Sequence, residues 1–185
     1  KDLIKKGPDS LGGEKAKVEP GTSLEYILLS GRLDNDGEIV SETVNLAGKD
    51  QTVYRAAGNA TDASLLVLYR KSGLDEKAYK SRFEEIRAFP FDSKLKCSTR
   101  VLKDKKKGKY VIFTKGATEV LLPRCKYLAE GAVTELEELS TKDKKVLDER
   151  ADLFASNGYR VISFAFTYLD KLPPTIKTDR ECVQE

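Results

Sequence analysis

At 185 residues, with a net charge of +3 from 33 basic and 30 acidic side chains, the chain can bury a core. The same balance argues against nucleic acid or acidic lipid as a default partner. Histidine is absent, which excludes Ser-His-Asp and Cys-His nucleophile systems, HExxH zinc sites and the usual proton shuttle near neutral pH. Cys97, Cys125 and Cys182 form no CxxC pair, so a reducing compartment is expected rather than a disulfide framework or zinc site. No apolar run approaches the roughly 20 residues of a membrane helix, and no secretory signal is visible. The sequence has no initiator methionine, nor any other, and reads as a piece of something larger.

Residues 1–21, rich in Lys, Gly and Pro, read as a linker or edge segment. Thr22 and Glu25 have capping-box spacing ahead of Leu24, Ile27 and Leu28, which predicts a helix ending near Gly31. "RLDNDGEIVSET" has a calcium-loop look. With Gly37 at the sixth position, however, Arg32 stands first and Thr43 last, where carboxylates are required, so a polar loop is expected. "GNATDASLLVLYRKSG" predicts a second helix, capped by Thr61, with Ala63, Leu66 and Val67 on one face.

"EEIRAFPF" predicts a strand in which Pro90 marks an edge or bulge. "KCSTRVLK" and "KYVIFTK" flank the turn "DKKKG" and predict a hairpin with Val111, Phe113 and Lys115 on one face. A helix is expected after Gly116 through "TEVLLPRCKYL", kinked at Pro123. Ser140 and Asp143 repeat the capping-box spacing and open a helix bearing Leu147, Ala151 and Phe154, which stops at Asn157-Gly158. "YRVISFAFTY" predicts a last strand, ended by "LPPT". The expected class is α+β: an antiparallel β-sheet flanked by helices, residues 22–170, between a 1–21 linker and a 171–185 connecting segment.

Several phosphate-binding patterns are missing: no GxxxxGK[ST] and no GxGxxG occurs, and "VIFTK" stands without the other protein-kinase motifs. "LKDKKKGKY" could meet a nucleic-acid backbone, or could be a solvated tip whose lysines discourage edge pairing. The stretches "GNATDASLL", "AFPFDSKLKCST" and "FTKGATE" each admit a plain reading as helix cap, strand end and turn. Their order carries more.

Together with "NGYRVISFAF", these segments resemble the nucleotide-binding (N) domain of P-type cation-transporting ATPases, closest in pattern to the calcium, sodium–potassium and sodium pumps. "GNATDASLL" is similar to that family's G-[DN]-x-[TS]-[ED]-x-A-L, "FPFDSKLK" to P-F-[NDS]-S-x-x-K, and "KGATEVLLPRC" to K-G-A-x-E…C. The closing "NGYRVISFAF" is similar to G-x-R-x-[IL]-x-x-A, and the likeness covers roughly residues 22–170. Departures are Asp62 for the usual Glu, Ser93-Lys94-Leu95 where arginines are common, Ser98 for Met or Gln, and Thr118 for Pro.

The resemblance implies an ATP pocket. Phe91 would stack on adenine, with plain core packing as the competing role for that ring. Lys115 would reach the pocket floor, and Gly116 and Ala117 would leave room for the purine. Asp62, with Thr61 beside it, would accept from the adenine amino group. Lys96 and Arg160 would face ribose and phosphates; Ser93, Ser98 and Ile162 would line the walls. Magnesium would accompany ATP rather than sit in a protein-only site. No DKTGT and no TGD occurs, so the fragment is expected to bind nucleotide without hydrolysing it. Its expected partners are the phosphorylation and actuator domains of the same parent chain and not nucleic acid. The fragment is expected to be a monomeric cytoplasmic part of an integral membrane protein.

Overall fold

The computed structural model describes residues 18–46 and 48–174, which divide by contacts into two units, residues 24–74 with the preceding segment and residues 75–174 with 21–23. The readings made for 1–17 and 175–185, Cys182 included, lie outside the described residues.

The first unit starts with helix α1, Ser23–Leu33, which buries Tyr26, Leu28 and Leu29. It ends at Leu33, two residues past Gly31, near which the stop was expected. A Cβ on Gly31 would lie 3.3 Å from the Leu65 Cβ, so the glycine serves close helix packing rather than termination. The end is closed by Asn35, whose Nδ2 donates to the Gly31 carbonyl at 2.8 Å.

Beyond it the expected polar loop is a hairpin: β1, Glu38–Leu46, pairs antiparallel with β2, Lys49–Ala57. The missed signal is the β-branched alternation of "EIVSETV", which acidic and hydroxyl residues diluted. Helix α2, Ala60–Ser72, follows. Its cap is Asn59 rather than Thr61. The Asn59 Oδ1 accepts from the Asp62 amide at 2.9 Å, and Asn59 Nδ2 donates to the Asp62 carboxylate at 2.7 Å. Gly73 closes the helix with φ 73°.

In the second unit Asp75 caps a short helix, α3, Glu76–Arg82, which the sequence reading passed over. The chain then enters β3, Phe83–Asp92, followed by β4, Cys97–Asp104, and β5, Lys109–Gly116, around the expected turn. The predicted helix beyond Gly116 shrinks to one turn, α4, Thr118–Leu121, and a 3-10 turn, Leu122–Arg124. Pro123 is the second residue of that 3-10 turn, where no amide hydrogen is needed, so nothing is kinked. A small pair, β6 (Tyr127–Ala129) and β7 (Leu136–Glu138), comes next. Helix α5, Thr141–Ser156, carries the expected capping box of Ser140 and Asp143. It ends at Asn157-Gly158, and β8, Ser163–Leu169, completes the unit.

The main sheet has the order β3-β4-β5-β8, antiparallel throughout, which makes Pro90 an edge-strand residue as expected. Helices and antiparallel sheets thus mix as α+β. One face of the sheet packs Phe89, Val101 and Ile112 with Ile86, Leu169 and Leu172. The other carries Val111, Phe113 and Lys115 in alternation, and there the Phe113 ring meets Phe83 and Phe166 at 6.3 and 6.5 Å between centroids. Burying a ring such as that of Phe113 contributes about 2–3 kcal/mol.

Candidate functional site

Three register pairs draw a line across the main sheet: Asp92 opposite Cys97, Cys97 opposite Gly116, and Gly116 opposite Ser163. The three sequence segments of the second unit that carry the family pattern therefore end at the same edge, although they lie far apart in the chain. One step inward, Ser98 stands opposite Lys115, and Lys115 opposite Phe164. Side chains alternate between faces, so Ser98, Lys115 and Phe164 share the face that holds Phe113. Both Ser98 and Lys115 are buried, Lys115 with 7% of its surface exposed.

Phe91 is arranged differently. In an unbroken strand it would share a face with Phe89, two residues earlier. The ladder shifts between Phe89 and Asp92, however, adding a residue to β3. Phe89 packs into the core while Phe91 keeps 63% of its surface exposed. Counted back from the Asp92–Cys97 pair, Phe91 is level with Ser98. Core packing, the competing role for this ring, does not occur.

The turn between β3 and β4 is held from within. The Asp92 Oδ1 accepts from the amides of Lys94 and Leu95 at 2.8 and 3.1 Å, folding Ser93 into an exposed turn. Lys96 then adopts φ 52°, unusual for a residue with a side chain. Its carbonyl accepts from the Ala117 amide at 3.0 Å, which ties this turn to the Lys-Gly-Ala segment. The Gly116 α-carbon faces the same carbonyl: an added Cβ would stand 2.5 Å from that oxygen and 2.7 Å from the Cys97 Cβ. Glycine is therefore required here by the neighbouring backbone. The space the sequence reading reserved for a purine on the Cβ side is already filled.

The Lys96 ammonium pairs with Glu119 at 2.8 Å, both side chains more than half exposed. This hydrogen bond, with a smaller one from Glu119's own amide, holds the Glu119 carboxyl below the usual carboxylate range. Glu119 received no role in the sequence reading, although it stands at the acidic position of the K-G-A-x-E pattern. A bond of 2.9 Å between the hydroxyls of Thr118 and Ser163 joins the start of α4 to β8. Arg160, exposed, and Ile162, partly buried, lie just ahead of Ser163.

Thr61 and Asp62 stand in the first turn of α2, in the other unit. Asp62 is buried, and its carboxylate accepts from Asn59 as part of the helix cap. Burial pushes the Cys125 thiol up, against a smaller opposing effect of Lys144, which disfavours a nucleophilic thiolate. Among the described residues no three Cys, Asp or Glu side chains gather as a metal cage.

Four of the lysines at and beside the tip have partners of their own. Lys105 pairs with Glu84 and Lys109 with Asp170, while Lys103 and Lys107 lie over the rings of Tyr110 and Tyr168. A cavity of about 480 Å³ opens at that end, lined by Ile86, Lys103, Tyr110, Asp170 and Leu172 among others. It touches none of the residues in the Asp92–Ser163 row.

The sequence profile of P-type ATPase, cytoplasmic domain N, matches residues 24–185. A calcium-transporting ATPase of Bacillus subtilis is 32% identical over 119 residues, 64% of this chain and 12% of that protein. Calcium-transporting ATPase 2 of Saccharomyces cerevisiae is 30% identical over 169 residues, 82% of this chain and 14% of that protein. A probable cation-transporting ATPase F of Mycobacterium tuberculosis is 25% identical over 148 residues, 79% of this chain and 15% of that protein. This chain thus spans only 12 to 15% of the length of these relatives. No helix among the described residues is long and apolar enough to cross a membrane. With its α+β class and its match to the family model, the chain belongs to the P-type cation ATPase family, as a cytoplasmic N domain.

Proposed function

We propose that this chain binds ATP at the Asp92–Ser163 edge of its main sheet, with the purine stacked on Phe91. The observation that carries this reading is the exposed Phe91 ring, level in the ladder with the buried Ser98 and Lys115. Other apolar side chains are exposed too, but Phe91 is the one that stands level with the family-pattern residues of β4 and β5. A flat ligand gives that ring a partner, worth about 1–3 kcal/mol per stacked base. Lys115, two strands in from Phe91 on the same level of the ladder, would supply a positive charge in a poorly solvated place, where electrostatic attraction is stronger than in water. Lys96 and Arg160, both on exposed segments at the same edge, suit the ribose and phosphates. Ser93, Ser98, Ala117 and Ile162 line the walls in this proposal. Asp62, with Thr61 as its neighbour, keeps its role as acceptor for the adenine amino group only as what the family resemblance implies.

In the parent protein the bound ATP would present its γ-phosphate to an aspartate on a separate phosphorylation domain, driving cation transport with the actuator domain. Positioning is what phosphoryl transfer chiefly needs, and a domain that holds the nucleotide provides it. Magnesium would arrive with the phosphates. The 185 residues hold no DKTGT, so this chain alone would bind without turnover. A dissociation constant near 1 mM corresponds to about −4 kcal/mol, which one stacked ring and one charge contact can supply.

Titration of the chain with ATP, followed by amide shifts in NMR, tests this. Shifts are expected at 91–98, 115–117 and 160–163. Silence at millimolar ATP, or shifts confined to Lys105–Lys109, would overturn it.

A further inference from the structure

We infer that Glu119 is a positioning residue for the same site: it holds the Lys96 ammonium when no phosphate is present and must release it when nucleotide binds. This rests on the proposed nucleotide site and adds a mechanism for how its phosphate end is gated. Lys96 is fixed at its backbone and loose at its tip. Its φ of 52° and the Ala117 amide on its carbonyl leave the main chain little choice of position. The side chain, by contrast, reaches 23 residues along the sequence to Glu119 across open surface.

Glu119 sits in the single turn of α4, directly beyond the Lys-Gly-Ala segment, so the carboxylate and its lysine stand on the two strands' ends that Gly116 brings together. An exposed ion pair of this kind is weak, worth well under the charge-assisted bonds a polyphosphate offers. It is therefore displaceable. A phosphate oxygen that takes the ammonium leaves Glu119 facing another anion, and that repulsion subtracts from affinity. The cost falls on phosphates alone, because a nucleoside has nothing to exchange for the pair. Glu119 accordingly tunes the site towards loose binding of phosphorylated ligands, while the purine contact is left as it was.

The test compares ATP, ADP and adenosine on the full chain and on Glu119→Gln, Glu119→Asp, Lys96→Ala and the Lys96→Ala/Glu119→Gln double variant, by NMR titration. Glu119→Gln is expected to bind ATP and ADP about two- to five-fold more tightly, the range of an exposed ion pair, with adenosine unchanged. Glu119→Asp, which keeps the charge, is expected to stay close to the parent chain. In the Lys96→Ala background Glu119→Gln is expected to tighten ATP by less than it does in the parent chain, since the competition for the ammonium is gone and only the repulsion between carboxylate and phosphate remains. Equal changes for ATP and adenosine would reveal a merely structural role and overturn the inference. So would an unchanged or weakened ATP affinity in Glu119→Gln. If the parent chain binds ATP normally and Glu119→Gln is indifferent, only the role of Glu119 falls. If neither ATP nor adenosine binds the parent chain, the nucleotide site falls and this inference with it.

Discussion

The Lys96 carbonyl oxygen lies 2.5 Å from the point where a Cβ on Gly116 would stand, and it accepts a hydrogen bond from Ala117 at 3.0 Å. Gly116 is thus fixed by two strands packing at their ends. Because the opposing atoms are backbone and Cβ, they cannot swing aside as a side-chain tip could. Gly116→Ala is expected to destabilise the fold by about 1–3 kcal/mol, the range for forced overpacking. Urea denaturation checks this, and a variant as stable as the parent would show that the two strand ends are free to part.

Phe89 and Phe91 form a contrasting pair on one edge strand. Phe91→Ala is expected to leave stability within about 0.5 kcal/mol, since its ring is mostly exposed. ATP affinity should fall by about 1–3 kcal/mol, or roughly 5- to 150-fold. Phe89→Ala is expected to lose about 3–5 kcal/mol of stability, because its ring belongs to the buried cluster. Thermal unfolding and ATP titration of both variants separate the two roles. A destabilised Phe91→Ala would return that ring to the core.

Why the sequence revealed some of this and concealed the rest follows from range. The β4–β5 hairpin, the Ser140–Asp143 capping box and the edge position of Pro90 are local effects, written within a few residues of one another. The β1–β2 hairpin is hidden in the sequence because Glu, Ser, Thr and Asn on both faces mask the alternation of Val40, Val44 and Val53. The helix expected beyond Gly116 failed because Pro123 and the strand β6 cut it short, a competition that propensity does not weigh. At the site, the residue types came from family pattern, and the bulge that turns Phe91 outward was signalled only by Pro90. The Lys96–Glu119 pair spans 23 residues and depends on the Lys96 backbone angle, so no local signal could specify it.

At the start of α2, Asn59 and Asp62 cap one another: an amide hydrogen bond in one direction and a side-chain bond in the other. Asn59→Ala removes the side-chain acceptor of the Asp62 amide and one donor to its carboxylate. A loss of about 1–2 kcal/mol is expected. Asn59→Asp should recover less than Asn59→Ser, because two carboxylates would then face each other. Helix content and urea midpoints for the three variants decide it; equal stability of the Asp and Ser variants would show that the carboxylate does not use this donor.

Asp104 supplies the clearest pH dependence. It is wholly buried, accepting from Arg82 at 2.9 and 2.7 Å, from the Tyr168 hydroxyl at 3.0 Å, and from the amides of Lys106 and Lys107. Burial alone would raise its pKa, but the Arg82 bond and charge, then Tyr168 and the Lys107 amide, outweigh it and leave the carboxyl below the ordinary 3.8. A carboxylate depressed in the folded state binds protons more readily once unfolded. Its contribution is therefore complete above the ordinary value and is lost as pH falls through the lower, folded one. Asp104→Asn puts an amide donor against the guanidinium and is expected to cost about 3 kcal/mol at neutral pH. The gap between the parent chain and the variant should hold steady from pH 7 to about pH 5 and narrow only below about pH 4. Urea midpoints across that range measure the gap. A difference that already closes at pH 6 would mean that another group, and not this buried carboxylate, ties the hairpin tip to α3 and β8.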